Sequence, residues 1–457
     1  MLQGESMSTV PNLKHFGVTH CALVLGYLLV QQSAFARSAS DPIFFQAVNL
    51  PVSDAFATML AAGSGEGDGV SFAVFVPTNE IASIRARIAS LEEAGEYYSL
   101  RIAELAAELG KSLQMDGQHH AALEAYDRSF QIIRWQEGLS STTQAVILQA
   151  KIDSQLALGD MEASDVLQHS LFLMQQQLLA ETPIALAEAH LTSADWNLKY
   201  YLQLKQAPAL GGRTEAQEVA LAERLGAAFM QYHKALWLLS TANAESSYDA
   251  KVAIERKIAA LTLMVDRQYQ RDAPNTLTKL GQRSIHQNKR SHNPVLSSHG
   301  SAALQRAIDY SVATAEPVQI AERQLELADW YLLMDQHDEA RVTYATAVAA
   351  LRDAGVQDQQ IAAILESGLP VHDPESALLV LAREEAISDF DGYIDVTFDL
   401  NRYGKASNTR VLAGASYDAK VEEDLLRQIH DSRFRPGFDQ GAPVDRTEVT
   451  LRYYFAR

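Results

Sequence analysis

Through most of the chain, apolar residues recur at every third or fourth position. That spacing places them on one face of a helix. The pattern begins near Glu80, where Ile81, Ile84 and Ile88 follow one another at these intervals. Near the end of the chain the period changes to two, first over residues 394–400, which is typical of a half-buried strand. The sequence therefore predicts a mostly α-helical chain followed by a small α+β domain.

Two stretches of the helical pattern share one arrangement of small and aromatic residues. In each, a small residue is followed by alanine and then tyrosine at the same offsets: Gly110, Ala122 and Tyr126, and again Ala328, Ala340 and Tyr344. This spacing resembles the tetratricopeptide repeat, a helix-turn-helix unit of about 34 residues. Small residues let the paired helices cross closely. The resemblance implies a solenoid of helical hairpins over residues 80–271 and 301–370.

Two segments interrupt this helical organisation. Residues 272–300 are polar with little periodicity, which predicts a flexible linker or a long surface loop. Residues 37–79 form an N-terminal extension of mixed character. Two apolar stretches, Ile43 to Leu50 and Val70 to Val76, flank a glycine-rich loop at 63–69, and this region either pairs as a small strand element or caps the helices that follow it.

The first 36 residues have the order of a secretory signal peptide. Lys14 precedes an apolar run at 21–30, and Ser33 to Ala36 ends in the A-x-A pattern of a cleavage site. The run is shorter than the roughly 20 residues of a spanning helix. We therefore predict cleavage after Ala36 and a periplasmic location. The alternative is an uncleaved helix that holds the chain at the inner membrane, facing the periplasm.

Composition and motifs argue against several classes of function. The net charge is −19, and an acidic surface repels nucleic acid. The single cysteine, Cys21, lies in the export segment, so a cleaved chain has no disulfide, thiolate nucleophile or cysteine metal site. The end of a phosphate-binding loop motif is matched by Gly110-Lys111-Ser112. The motif also requires glycine at position 105, where this chain has Leu105. We predict no enzymatic activity, cofactor, metal or small-molecule substrate.

The C-terminal residues 386–457 show strand, strand, helix and strand patterns in that order. This order predicts one helix across a three-stranded antiparallel sheet. The segments GYIDVTFDLNRYGKAS (392–407), SRFRPGFDQGAPV (432–444) and TEVTLRYYF (447–455) resemble the C-terminal domain of the TonB energy-transducer family. The resemblance implies a domain that docks on outer-membrane transporters by taking an extended peptide as an added strand.

Two sets of residues are predicted to bind partners. The resemblance to the transducer domain implies a docking edge on the final strand and a loop before it, comprising Glu448, Thr450, Arg452 and Tyr454, and Arg433, Phe434, Arg435 and Pro436. The resemblance to helical repeats implies a concave groove that includes Lys111, Gln114 and Asp329. Trp196 and Trp330 are either aromatic anchors of that groove or packing residues inside the hairpins.

These predictions favour a periplasmic adaptor for protein–protein interactions. Its helical groove would bind one envelope protein, and its tail domain would dock on another, such as an outer-membrane transporter. Three alternatives stay open. The chain could be an anchored component of a TonB-type energy transducer, a structural envelope protein that contacts peptidoglycan, or an envelope enzyme with a pocket of convergent titratable groups.

Overall fold

The computed structural model describes residues 44–47, 78–206, 214–242, 248–279, 292–312, 315–365, 371, 392–414, 419–439 and 442–456. These residues are mostly helical, and three C-terminal strands form an antiparallel sheet, which confirms the general fold class. The predicted export segment lies outside the described residues, as does most of the N-terminal extension. Among the described helices, none is both long and apolar enough to cross a membrane.

The chain divides into two compact units. Of the described residues, the first comprises 78–200 and 234–242, and the second comprises 44–47, 201–206, 214–233 and those from 248 onward. Two helices, α6 (Pro183–Gln206) and α7 (Glu215–Thr241), contribute residues to both units.

The first unit is built from consecutive helices joined by short turns. They are α1 (Thr78–Glu93), α2 (Leu100–Met115), α3 (His119–Glu137), α4 (Thr142–Ala157) and α5 (Met161–Leu178). Each of these helices packs against the next one along the chain. Gly95 has a φ of +86° and lies in the turn that separates α1 from α2. The Ser99 side chain then accepts a hydrogen bond from the Ile102 amide and begins α2.

The small residues singled out in the sequence lie at close helix crossings. A Cβ atom at Gly110 would lie 2.7 Å from the ring of Tyr126, so α2 and α3 approach closely there. Ala122 is fully buried in the same core. In the second unit, Ala328 and Ala340 are buried together with Tyr344. These local contacts agree with paired helices, while the repeat as a whole stays a prediction.

The complete helices of the second unit are α8 (Tyr248–Lys279), α9 (Pro294–Ser311), α10 (Pro317–Leu333), α11 (His337–Asp353), α12 (Asp358–Ile364) and α13 (Ala419–Asp431). From α8 to α12 these helices also pack each against the next, and α13 packs against the strand β3 (Ala406–Gly414). The segment predicted as a linker is shorter than residues 272–300, because α8 continues to Lys279 and α9 begins at Pro294. At the start of α9, Asn293 caps the helix by accepting a hydrogen bond from the Val295 amide.

Two partly buried ion pairs connect α8 with its neighbours. The Glu255 side chain is fully buried, and its carboxylate accepts two hydrogen bonds from Arg306 of α9, at 2.5 and 2.8 Å. Arg256 donates two hydrogen bonds of 2.8 Å to Glu326 of α10. Bidentate geometry of this kind fixes both distance and orientation, so α8, α9 and α10 are held in one register.

The tail domain has the predicted strand-strand-helix-strand order. Its strands are β2 (Gly392–Leu400), β3 (Ala406–Gly414), the short pair β4 (Gly437–Asp439) and β5 (Ala442–Val444), and β6 (Arg446–Ala456). The β4–β5 pair was not predicted. An additional strand, β1 (Phe44–Ala47), joins the main sheet, which has the order β1-β6-β2-β3. Its core contains Val396, Phe398, Leu425 and Phe434.

Candidate protein-binding site

The loop before the final strands is held against the helices of the second unit by one buried arginine. The Arg435 guanidinium donates to the Asp329 carboxylate of α10 through Nε at 3.0 Å and through its terminal nitrogen at 2.5 Å. It also donates to the Ile364 carbonyl at 3.1 Å. Tyr344 of α11 donates its hydroxyl hydrogen to the same carboxylate at 2.5 Å. One aspartate therefore connects the tail domain with α10 and α11.

The surroundings of this cluster keep it charged. Asp329 exposes 11% and Arg435 17% of the side chain, so water screens their attraction little. Burial, followed by the charge of Asp329, raises the pKa of Tyr344 well above its usual value. Burial by itself would lower the pKa of Arg435, but the adjacent Asp329 carboxylate outweighs this effect and raises it. The tyrosine therefore stays neutral as a donor, and the arginine stays a cation.

We call the contact of this loop with α10 and α11 the joint. The loop residues next to Arg435 belong to it as well. Phe434 is fully buried and lies with its ring centroid 4.8 Å from that of Phe398. Its backbone amide donates to the Gly404 carbonyl at 2.9 Å, and Pro436 is also buried. Arg433 donates to Asp335 at 2.8 Å. The loop predicted to contact a partner therefore faces the interior of the second unit in this structure.

Acid is expected to weaken the contact between Arg433 and Asp335. Burial would raise the pKa of Asp335, but the hydrogen bond and charge of Arg433 outweigh it and hold this pKa below its usual range. A depressed folded-state pKa means that the pair stabilises the fold above about pH 4 and stops doing so as the pH falls through the lower value. Arg433→Gln should therefore lower the urea midpoint at about pH 6 and much less near pH 3.

Arg427→Gln is the matched control for this titration, since Arg427 exposes 61% of its side chain on α13. Its effect on the urea midpoint should be small at both pH values. A difference between the parent chain and Arg433→Gln that stays constant down to about pH 3 would contradict the assignment.

The predicted docking edge on the final strand is exposed for most of its length. Glu448, Thr450 and Arg452 are all exposed. Arg452 reaches across the ladder to Asp395 with two hydrogen bonds of 2.7 and 2.9 Å, and its guanidinium lies 4.1 Å from the centroid of the Tyr393 ring. The structure thus places these three residues on an accessible part of the tail domain.

The residues predicted to line the helical groove have separate environments. Lys111 is exposed, whereas Gln114 accepts a hydrogen bond of 2.8 Å from the Tyr126 hydroxyl. Trp196 exposes 8% of its surface and donates to Asp165, and Trp330 exposes 3% and donates to the Ser297 carbonyl. Both tryptophans are therefore packed inside the helical units. Asp329 accepts hydrogen bonds from Arg435.

An exposed aromatic pair in the first unit was missed at the level of the sequence. Trp135 exposes 79% and Tyr98 exposes 64% of its surface, and their ring centroids are 5.6 Å apart. Gln136 of α3 donates a hydrogen bond of 2.9 Å to the Tyr98 carbonyl and so holds the turn between α1 and α2. A signal for Trp135 does exist, because it follows the buried Tyr126 by nine positions and so falls on the opposite side of α3.

The chain matches no protein-family model, and no curated protein matches it. The likenesses to tetratricopeptide repeats and to the transducer domain therefore rest on the sequence motifs alone. Within the described parts of the chain, no three histidine, cysteine, aspartate or glutamate side chains come together as metal ligands.

Proposed function

We propose that this protein is an adaptor of the bacterial cell envelope that binds other proteins through two separate surfaces. The tail domain takes an extended segment of one partner along the outer edge of β6, and the helical part binds a second partner. The observation that carries the proposal is the pairing of β6. Its inner edge is hydrogen-bonded to β2, whereas its outer edge from Arg446 to Arg452 has no strand neighbour among the described residues.

An open strand edge is a protein-binding surface for a physical reason. Its backbone N–H and C=O groups lack a strand partner on one side and are aligned to pair with an extended chain. The open stretch of β6 spans residues 446–452; a bulge at Glu448, which has a φ of +57°, interrupts it, and from Val449 onward the strand pairs in regular register with β2. The exposed side chains of Glu448, Thr450 and Arg452 alternate along it and supply the means to select a partner sequence.

The joint between the tail domain and α10–α11 supports a binding role for the whole unit. The Arg435–Asp329 contact and the buried Phe434 orient the sheet against these helices. A partner bound at β6 would therefore meet a pre-organised edge, and it would lose little free energy in ordering this domain.

On the helical part, the Tyr98–Trp135 pair is the surface best suited to a partner. Large exposed aromatic side chains are unfavourable in water, and tryptophan and tyrosine dominate the energetics of protein interfaces. Leu139, in the loop after α3, is another exposed apolar residue, with 71% of its surface accessible.

Site-specific photo-crosslinking in intact cells tests the tail surface. A photoreactive amino acid at Thr450 should give covalent products with a distinct envelope protein. Glu423 on α13 is the matched control, because 74% of its side chain is exposed in the same domain and it lies on no strand edge. Identical product patterns from both positions, or none from Thr450, would count against strand addition at β6.

The processing of the N-terminus separates the adaptor from an anchored energy transducer. The adaptor proposal expects the protein isolated from the envelope to begin at Arg37. An intact N-terminal segment would favour the transducer.

Contact with cell-wall glycan is a second candidate, and the Tyr98–Trp135 pair is the observation that favours it, because flat exposed rings can stack on sugar rings. Co-sedimentation with purified peptidoglycan distinguishes the two functions. Under the glycan candidate, Trp135→Ala should abolish co-sedimentation, with Trp237→Ala as a control that also removes an exposed tryptophan. The adaptor proposal expects no co-sedimentation of the parent chain.

A further inference from the structure

The outer edge of β6 is closed at one end by a strand from the start of the chain. β1 runs antiparallel to β6, and its residues Phe44, Phe45, Gln46 and Ala47 stand opposite Ala456, Phe455, Tyr454 and Tyr453. The sequence of this segment favours a strand, because aromatic residues are enriched in strands. It also lies in one of the two apolar stretches of the N-terminal extension, a region for which a small strand element was one of two predictions.

We infer that residues 44–47 are an internal ligand of the partner-binding edge, and that a partner segment covering the whole of β6 displaces them. The inference rests on the proposed function and specifies how that site is regulated. β1 pairs with four residues of β6, whereas β6 itself contains 11 residues. A partner strand of full length therefore forms a longer ladder than β1, and this difference favours exchange.

Covalent connection gives the internal strand an advantage over short competitors. Because β1 belongs to the same chain as β6, its effective concentration at the edge does not depend on the concentration of the protein. A free peptide that covers only residues 453–456 must compete against the tethered strand. A segment that begins on the open stretch from Arg446 to Arg452 can bind first and extend afterwards. The edge should thus select long extended partners over short ones.

A disulfide experiment tests the internal pairing without any partner. Cys21 is the only cysteine, so the full chain with Cys21→Ser, Gln46→Cys and Tyr454→Cys contains two thiols. Directly opposed residues of an antiparallel pair have Cα atoms about 4.5–5.5 Å apart, which is within the range that a disulfide requires. Mild oxidation should give a disulfide within one chain, visible as faster migration without reduction.

The control for this experiment combines Gln46→Cys with Glu448→Cys. Glu448 is six positions from Tyr454 along β6, which corresponds to roughly 20 Å, too far for a disulfide. Failure of the 46–454 pair to link, equal linkage in the control, or linkage only between two chains would each overturn the internal ligand.

A synthetic peptide of residues 41–50, labelled with a fluorophore, tests competition for the edge. The full chain with Phe45→Pro and Gln46→Pro has lost the ladder hydrogen bond of β1, since one of two consecutive residues faces β6. This variant should bind the peptide at least about tenfold more tightly than the parent, because the competing internal strand is removed. The oxidised 46–454 chain should bind none. Equal affinity for the parent and the proline variant would refute displacement.

Crosslinking from Thr450 separates this inference from the proposed function. Equal capture of a partner by the oxidised 46–454 chain and by the proline variant would overturn the internal ligand and leave the adaptor in place. Peptide binding as expected, with no partner captured at Thr450 in cells, would overturn the adaptor and leave the internal pairing. Capture that is weak when the disulfide is formed and strong in the proline variant supports both.

Discussion

Replacing Arg435 by methionine is expected to destabilise the second unit by about 3–5 kcal/mol. The substitution removes the cation that faces Asp329 and leaves a carboxylate with 11% of its side chain exposed and only the Tyr344 hydroxyl as a donor among the contacts described for it. Uncompensated buried charge is among the largest single-residue penalties known in proteins. The measurement is the urea midpoint of the full chain, with unfolding monitored by circular dichroism.

Two comparisons make this result specific to the joint. Arg427→Met removes an exposed arginine paired with Glu423 on α13, and its cost should stay within about 0.5 kcal/mol. The double variant Asp329→Leu with Arg435→Met should recover a large part of the loss, because both charges are gone. If Arg435→Met proves as mild as Arg427→Met, the buried pair does not hold the tail domain.

Substituting alanine for Gly404 is expected to destabilise the same joint by about 2–5 kcal/mol, combining backbone strain with overpacking. Gly404 has a φ of +72°, and an added Cβ would lie 2.4 Å from the Phe434 carbonyl oxygen and 3.0 Å from Leu332. The first of these atoms is backbone, so the loop itself must move. The readout is again the urea midpoint.

Gly355 supplies the matched control for Gly404. It has a φ of +80°, and a Cβ added there would meet no atom within 4 Å, so Gly355→Ala carries the backbone strain without the collision. We expect it to cost about 1–2 kcal/mol. The difference between the two variants measures the close approach of the tail turn to Phe434. Equal costs would mean that the loop relaxes freely at that point.

The elements that the sequence predicted are those whose signal is local. The alternation of Ile394, Val396 and Phe398 predicts β2, because one face of that strand is buried in the tail core. The spacing of Val421, Leu425 and Ile429 predicts α13 for the same reason. The β4–β5 pair was missed because its three-residue strands are too short to establish a period.

The tail joint lay beyond sequence reasoning because its partners are distant in the chain. Arg435 and Asp329 are 106 positions apart, and nothing in the local pattern of either segment indicates the other. The sequence also left two interpretations of Trp330 open, because periodicity did not show which side of α10 is buried. In α10, Leu327, Ala328, Asp329 and Trp330 are all buried, so this helix is covered on several sides. Periodicity assumes one buried face, and a helix surrounded by neighbours does not follow that rule.

The contact of Arg435 with Asp329 changes what counts as a transferable module in this protein. A fragment of residues 386–457 would contain Arg435 without its counterion Asp329. It would also expose Phe438, whose ring centroid lies 4.9 Å from that of Tyr344 in the full chain. Recombination in evolution, or a chimera made in the laboratory, should therefore preserve function only when α10, α11 and α12 travel with the sheet. The heritable building block reaches back at least to Pro317, well upstream of the segment that looks like a domain by its motifs.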